Sequence, residues 1–228
     1  MPNATEMTTS GPERDAATGF RDVDRTGDIS HYVRFPEHAS GIEQIRQLKR
    51  RSYQLMQVQL GQQVLDVGCG LGDDVRALAG LVGRTGRVVG VDASEAMVNE
   101  ARRRSEGQEL PVEFAVGDVR KLDFPDGSFD ACRIERPLQY VAGPAPAVAE
   151  LIRVTRPGGY IVALEPDHET TFVQRGDKSI TRSNRNAYAD GYSNGWIGRQ
   201  LPAIFVDAGL VEVAVALEAT FIRELEQW

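Results

Sequence analysis

An α/β chain with a mostly parallel, doubly wound sheet covered by helices on both faces is the fold this sequence predicts, and three observations predict it. Short apolar runs alternate with amphipathic helical stretches through most of the chain. One such run, Val64 to Val67, empties into the glycine turn Gly68-Cys-Gly-Leu-Gly72. The next, Arg87 to Val91, ends in an acid, Asp92. The elements follow in order. After residue 28 a helix carries Ile42, Ile45, Leu48, Leu55, Met56 and Leu60 on one side. Gln63 to Val67 is the first strand, Asp73 to Val82 a helix, Arg87 to Asp92 the second strand, and Ser94 caps the helix after it. Val112 to Val116 and Phe129 to Ile134 are the third and fourth strands. A helix from Ala145 to Val154 then leads into the Pro157-Gly-Gly turn, and Tyr160 to Leu164 is the fifth strand. A helix with Ile197, Leu201, Ile204, Phe205 and Ala208 stops at Gly209, a C′ glycine. The alternation Val211, Val213, Val215, Leu217 predicts a sixth strand.

Composition bounds the rest. At 228 residues and 41% hydrophobic content the chain makes one full core. Residues 1–28 are polar and without apolar period, so disorder, or order only by contact with a neighbour, is expected there; residues 29–228 form a single domain without internal repeats. The polar stretch from about residue 170 to 198, with Phe172, Tyr188, Tyr192 and Trp196, is long for a connection and reads as a cover. A net charge of −7 leaves no electrostatic footprint for nucleic acid. Lys49-Arg50-Arg51 reads as a solvated helix face, and Arg102-Arg103-Arg104 as cations suited to a helix C-terminus. No apolar run approaches the roughly 20 residues of a membrane span, and no signal-peptide core is visible. A cytoplasmic protein is therefore expected. Cys69 and Cys132 fall in core elements and read as reduced thiols, with no metal site.

The glycine turn narrows the ligand. An acid closing the strand after such a turn points to an adenosine-containing cofactor. A dinucleotide turn wants G-x-G-x-x-G with a pyrophosphate on the following helix N-terminus. Here the third glycine comes one residue early, and the helix opens with Asp73 and Asp74, which would repel a pyrophosphate. A phosphate-free cofactor with a positive sulfonium avoids that conflict; S-adenosylmethionine is one.

Four segments then resemble the class I S-adenosylmethionine-dependent methyltransferases, in the small-molecule branch related to the ubiquinone/menaquinone-biosynthesis enzymes. They are Val64-Leu-Asp-Val-Gly-Cys-Gly-Leu-Gly72, Val88-Val-Gly-Val-Asp-Ala-Ser-Glu-Ala-Met97, Gly117-Asp-Val-Arg-Lys-Leu-Asp-Phe-Pro-Asp-Gly-Ser-Phe-Asp130 and Glu150-Leu-Ile-Arg-Val-Thr-Arg-Pro-Gly-Gly159. The resemblance runs from His31 to Leu217 and implies a Rossmann-like sheet. It implies that Gly68, Gly70 and Gly72 close on the methionine part of the cofactor, where a Cβ would collide, with Cys69 between them as a further cofactor-binding residue. Asp66 would meet the ammonium, directly or through water, and Glu135 would touch the same end. Asp92 would accept both ribose hydroxyls, and Ala93 and Met97 would line the adenine. Asp118 would accept from the adenine amino group while the Val119 backbone reads a ring nitrogen, and Gly117 and Tyr32 are further cofactor-binding candidates. Asp92 also suits a plain strand-end carboxylate beside a helix cap, and Asp118 a simple turn residue.

The acceptor is expected to meet loops after the fourth and fifth strands, with His168 and Tyr140 as candidate catalytic groups; relatives often carry His where Tyr140 stands. His168 reads as an exposed loop residue, and Arg136, Arg175, Arg182 and Arg199 as surface cations able to steer an anion. The family's terminal antiparallel strand is expected to be missing or truncated, which would bare the fifth-strand edge and favour a homodimer. Three functions stay open: methyl transfer to O, C or N of a small-molecule acceptor, with secondary metabolite biosynthesis as the expected setting; a cyclisation or rearrangement in the same fold with S-adenosylmethionine bound; and non-catalytic binding.

Overall fold

The computed structural model describes residues 23–25, 29–171 and 177–219. Five parallel strands, β1 (Gln63–Val67), β2 (Arg87–Asp92), β3 (Val112–Val116), β4 (Phe129–Glu135) and β5 (Thr155–Leu164), form one sheet in the order β3-β2-β1-β4-β5. The helices are α1 (Ser30–Gly41), α2 (Glu43–Leu55), α3 (Asp73–Val82), α4 (Glu95–Ser105), α5 (Ala145–Val154), α6 (Lys178–Asp190) and α7 (Ile197–Asp207). The central strands are continuous apolar runs because both faces are covered. Val64, Val88 and Ala131 point into one core with Val75, Leu78 and Val82 of α3 and Met56. Their neighbours Leu65, Val89 and Cys132 point into the other, with Leu151 of α5 and Ile197 and Leu201 of α7.

Strands β1 to β3 and helices α3 and α5 begin and end where the sequence pattern places them. Gly209 (φ +89°) closes α7, with the Leu210 N–H donating to Phe205 O at 3.0 Å and the Gly209 N–H to Val206 O at 3.0 Å. Other expectations are corrected. The first helix is two, broken at the extended Ile42, and Leu60 lies beyond α2 in solvent. Strand β5 begins at Thr155: the Pro157-Gly158-Gly159 turn is looped out of it, with Phe129 facing Thr155 and Ala131 facing Tyr160. A Cβ on Gly159 would stand 2.6 Å from Asp130 O, so the loop-out needs glycine there.

Residues 211–217 are not a strand, and Val211, Val215 and Leu217 are exposed. Alternation says which side chains would be buried, but a strand also needs an edge to pair with, and β5 takes none of these residues. Of residues 1–28, Val23–Arg25 form a docked 3-10 turn. The Asp24 carboxylate accepts from Ser94 Oγ at 2.6 Å and from the N–H groups of Glu95 and Ala96 at 3.0 and 3.1 Å. The rest of that expectation lies outside the described residues, as do Phe172 and Arg175 of the expected cover. Within that cover stands α6, capped by Asp177, which accepts from the N–H groups of Ser179 and Ile180.

Candidate active site

Strand order reverses between β1 and β4, which opens a crevice at their carboxyl ends. The glycine turn sits at its mouth. The Gly68 and Cys69 N–H groups both donate to Val91 O, at 2.7 and 3.0 Å, which ties the turn to β2. Gly68, Gly70 and Gly72 have φ of +76°, +50° and +75°, a region L-residues avoid. Their steric reasons differ. A Cβ on Gly68 would overlap the Pro137 ring, and one on Gly72 would lie 2.7 Å from Phe114 Cε1, so both yield to the protein's own side chains. A Cβ on Gly70 would meet nothing closer than Met97 Cε at 3.7 Å. Of the three, Gly70 is the one where a Cβ would find room within the protein.

Asp92 lies beside it. Its Oδ2 accepts from the Gly70 N–H at 2.9 Å and its Oδ1 from the Ser94 N–H at 3.0 Å. Burial raises its carboxyl, against those two donors. Each oxygen keeps a second lone pair, so the group suits a vicinal diol. Met97 and Tyr32 pack with Val23 and Leu71 in an apolar cluster against the turn, while Ala93 is exposed. The Gly117 N–H donates to Asp92 O at 2.9 Å and brings the next turn alongside. Asp118 is spent locally: Arg120 pairs with it at 2.6 Å and holds its carboxyl low, and it accepts the Arg120 N–H at 2.8 Å. The buried Val119 anchors that turn in the core. The uncrowded Gly70 turn beside a two-oxygen acceptor and an apolar wall, with the cation among these residues, Arg120, paired with Asp118, fits a phosphate-free adenosyl cofactor.

Behind the turn lies a network that the sequence reading missed. Arg133, in the middle of β4, is 1% exposed. Its Nη1 donates to Asp66 Oδ1 at 2.9 Å, its Nε to Ser52 Oγ at 3.0 Å, and its Nη2 pairs closely with Glu135 and at 3.5 Å with Asp74. Lys49 Nζ reaches Asp74 at 2.6 Å and Glu135 at 2.9 Å, and the Tyr53 hydroxyl donates to Asp74. Burial raises the Asp66 carboxyl to about 7, against Arg133. Burial also pushes Asp74 upward, but Arg133 and Lys49 outweigh it and hold the carboxyl at about 2. Lys49 is thus an enclosed ion-pair partner, where a solvated face is expected, and Asp66 is engaged by a guanidinium. The available signal was a lone arginine inside the apolar run Ala131-Cys-Arg-Ile134: a buried cation requires acids nearby.

On the other side of the crevice, Glu165 at the β5 tip accepts the Leu138 N–H at 2.8 Å through Oε1, while its Oε2 is enclosed without a hydrogen-bond partner among the described residues. Burial pushes this carboxyl up to about 8. His168 is buried, where an exposed position is expected. Its Nε2 lies 2.5 Å from Gln139 Oε1, its ring stacks on Tyr192 at 3.8 Å, and Tyr188 meets it edge-on at 5.1 Å. Burial, with Arg136 adding to it, lowers its pKa to about 4. Tyr140 touches the same stack through Tyr192, at 5.7 Å between ring centres. Arg199 is bound to Asp167 at 2.6 Å.

Comparison with known proteins agrees with this geometry. Residues 64–159 match the model of a methyltransferase domain. An uncharacterised 37.1 kDa protein of a *Streptomyces fradiae* transposon is 40% identical over 84% of this chain and 57% of its own length. A demethylmenaquinone methyltransferase of *Bacillus cereus* is 38% identical over 54% of this chain and 52% of its own. The chain thus spans little more than half the length of these curated relatives. The fold is shared with a SAM-dependent methyltransferase of *Aquifex aeolicus* (22% identity, TM-score 0.56, 83% of this chain and 87% of that one). It is shared also with the [4+2]-cyclase SpnF (24% identity, TM-score 0.58, 72% and 56%). Residues 64–159 thus form a methyltransferase domain, in a fold shared with S-adenosylmethionine-dependent methyltransferases, and the chain is similar to an enzyme of menaquinone biosynthesis.

Proposed function

We propose that this chain binds S-adenosylmethionine at the tips of β1 and β2 and transfers its methyl group in line to an oxygen, carbon or nitrogen of a small-molecule metabolite. The observation that carries the reading is the left-handed Gly70 turn, where no protein atom crowds the Cβ position and the N–H is bonded to the Asp92 carboxylate. When bound, the cofactor supplies a methyl carbon already activated by a sulfonium. Asp92 accepts the ribose hydroxyls, Met97, Ala93 and Tyr32 flank the adenosine, and Gly117, Asp118 and Val119 border the adenine. Glu135 and Asp66 face the amino-acid end, and Gly68, Cys69 and Gly72 hold the turn in shape.

The acceptor lies toward Tyr140, His168 and α6. His168 is a weak base in this setting, since burial keeps its imidazole neutral and disfavours its protonation. Catalysis therefore rests chiefly on alignment, with the reacting atoms held about 3 to 3.5 Å apart. His168 fixes the cover through Tyr192 and Gln139. An acidic phenol or enol, which needs little help to lose its proton, suits such a site. Titration calorimetry with S-adenosylmethionine, then incubation of candidate phenols, enols and amines with methyl-labelled cofactor, tests this reading. Binding with a labelled product supports it; a converted but unlabelled product means rearrangement, and no binding means a protein without this chemistry.

Location and assembly are part of the proposal. The net charge of −7 argues against a nucleic-acid acceptor. No helix among the described residues is long and apolar enough to cross a membrane. The buried free thiols of Cys69 and Cys132 support a reducing compartment, the cytoplasm. Strand β5 pairs on one side with β4 and closes the described sheet, which favours a homodimer over that edge; a monomer by light scattering at micromolar concentration would refute it.

A further inference from the structure

The charges packed between α2 and the tips of β1 and β4 do not balance. Asp66, Asp74 and Glu135 bring three carboxylates against two cations, Lys49 and Arg133. The ionisable groups around Asp66 are Lys49 and Tyr53 from α2, Asp74 from α3, Arg133 and Glu135 from β4, and Cys69, whose thiol burial keeps protonated. The three acids are held unequally. Asp74 has Lys49, the Tyr53 hydroxyl and Arg133; Glu135 has Lys49 and Arg133; Asp66 has Arg133 as its cationic partner. Asp66 is also the most enclosed, its side chain 2% exposed against 12% for Asp74 and 16% for Glu135. An uncompensated charge in such an enclosure is expensive and is removed by a proton or a counter-ion. The network opens to the crevice through Lys49 and Glu135, which keep 20% and 16% of their side-chain surface.

We propose that Asp66 carries a proton in the cofactor-free protein and releases it to solvent when a ligand ammonium enters beside Glu135, making this network a proton-linked ammonium site. The inference rests on reading the crevice as the S-adenosylmethionine site and assigns its amino-acid end. Arg133 and Lys49 are then positioning residues: they hold the carboxylates so that one positive charge is wanting. The raised Asp66 carboxyl agrees with this, since it stays protonated to near neutrality.

The test is calorimetric and needs no turnover. S-Adenosylhomocysteine and 5′-methylthioadenosine share the adenosyl thioether, but only the first has the ammonium. Each is titrated into the full chain at pH 6.5 in two buffers of different ionisation enthalpy. S-Adenosylhomocysteine is expected to release about 0.7 proton and to bind about eightfold tighter at pH 7.5 than at pH 6, and methylthioadenosine to do neither. Asp66→Asn, checked for folding by its melting curve, should bind S-adenosylhomocysteine without proton release. Equal release from both ligands, or binding of S-adenosylhomocysteine with no release, overturns the proposal while leaving the cofactor site standing. Failure of both ligands to bind overturns the site and the proposal together.

Discussion

The two sides of the crevice are built differently. On the β1–β2 side the working surface is main chain: the Gly70 amide, the Val91 carbonyl that anchors the turn, and one carboxylate, Asp92, bonded to two amides. On the β4–β5 side it is side chains stacked on side chains: His168 on Tyr192, Gln139 under His168, and Glu165 under the Pro137–Tyr140 turn. A backbone surface recognises what every cofactor molecule shares and tolerates little change. A side-chain surface can be rebuilt for a new acceptor without disturbing the turn.

That contrast breaks most directly at Arg133, which ties the sides together. Arg133→Ala leaves Asp66 without its cationic partner and Glu135 with Lys49 alone, and should cost about 3–5 kcal/mol of stability, read by urea unfolding; a loss below about 1 kcal/mol would mean that water or a proton compensates freely. On the main-chain side, Asp92→Ala should weaken S-adenosylmethionine binding by about 3 kcal/mol, since hydrogen bonds to a charged group are worth about 1.5–3 kcal/mol each. An unchanged dissociation constant would take Asp92 out of the site. Gly70→Val should likewise abolish binding while the fold survives, because its Cβ has room but its φ of +50° and the added bulk face the ligand.

On the side-chain side, His168→Phe keeps the stack and deletes the bond to Gln139, with an expected loss of about 1–3 kcal/mol for the amide left unsatisfied. If His168 were instead the catalytic base, kcat would collapse with little change in stability. The same variant sharpens a pH effect. The folded imidazole has a lowered pKa, about 4 against an ordinary 6.5, so the unfolded chain binds the proton first. Stability from this group is complete above the unfolded value and is lost as pH falls from about 6.5 toward 4; His168→Phe should flatten that slope. The smallest effect is expected at Asp177→Ala, about 1 kcal/mol from the lost cap of α6, seen as faster amide exchange in the first turn of that helix.

Legibility followed the same divide. The turn, its flanking strands and the helix caps are local: Val64 to Gly72, Ser94 and Gly209 announce themselves within a few residues, because backbone conformation is dictated by near neighbours. Arg133, Glu165 and His168 are not local. Arg133 lies in an apolar strand, and its partners Ser52 and Asp66 are both distant in sequence. His168 reads as surface because nothing in Asp167-His-Glu169 discloses that Tyr188 and Tyr192 fold over it. The expected sixth strand failed for a related reason: period-two alternation is local, but the edge that would receive it is not. The glycines hold a further non-local fact, since Gly68 and Gly72 also make room for Pro137 and Phe114, side chains distant in sequence.

The short turn at Val23–Arg25 has a practical consequence. Asp24 serves as a second stopper on the first amides of α4, and Val23 roofs Leu71 and Met97. An expression boundary drawn at Ile29, just before α1, would strip both and wet the apolar seam beside the glycine turn. Any trimmed version of this protein should therefore start upstream of Val23.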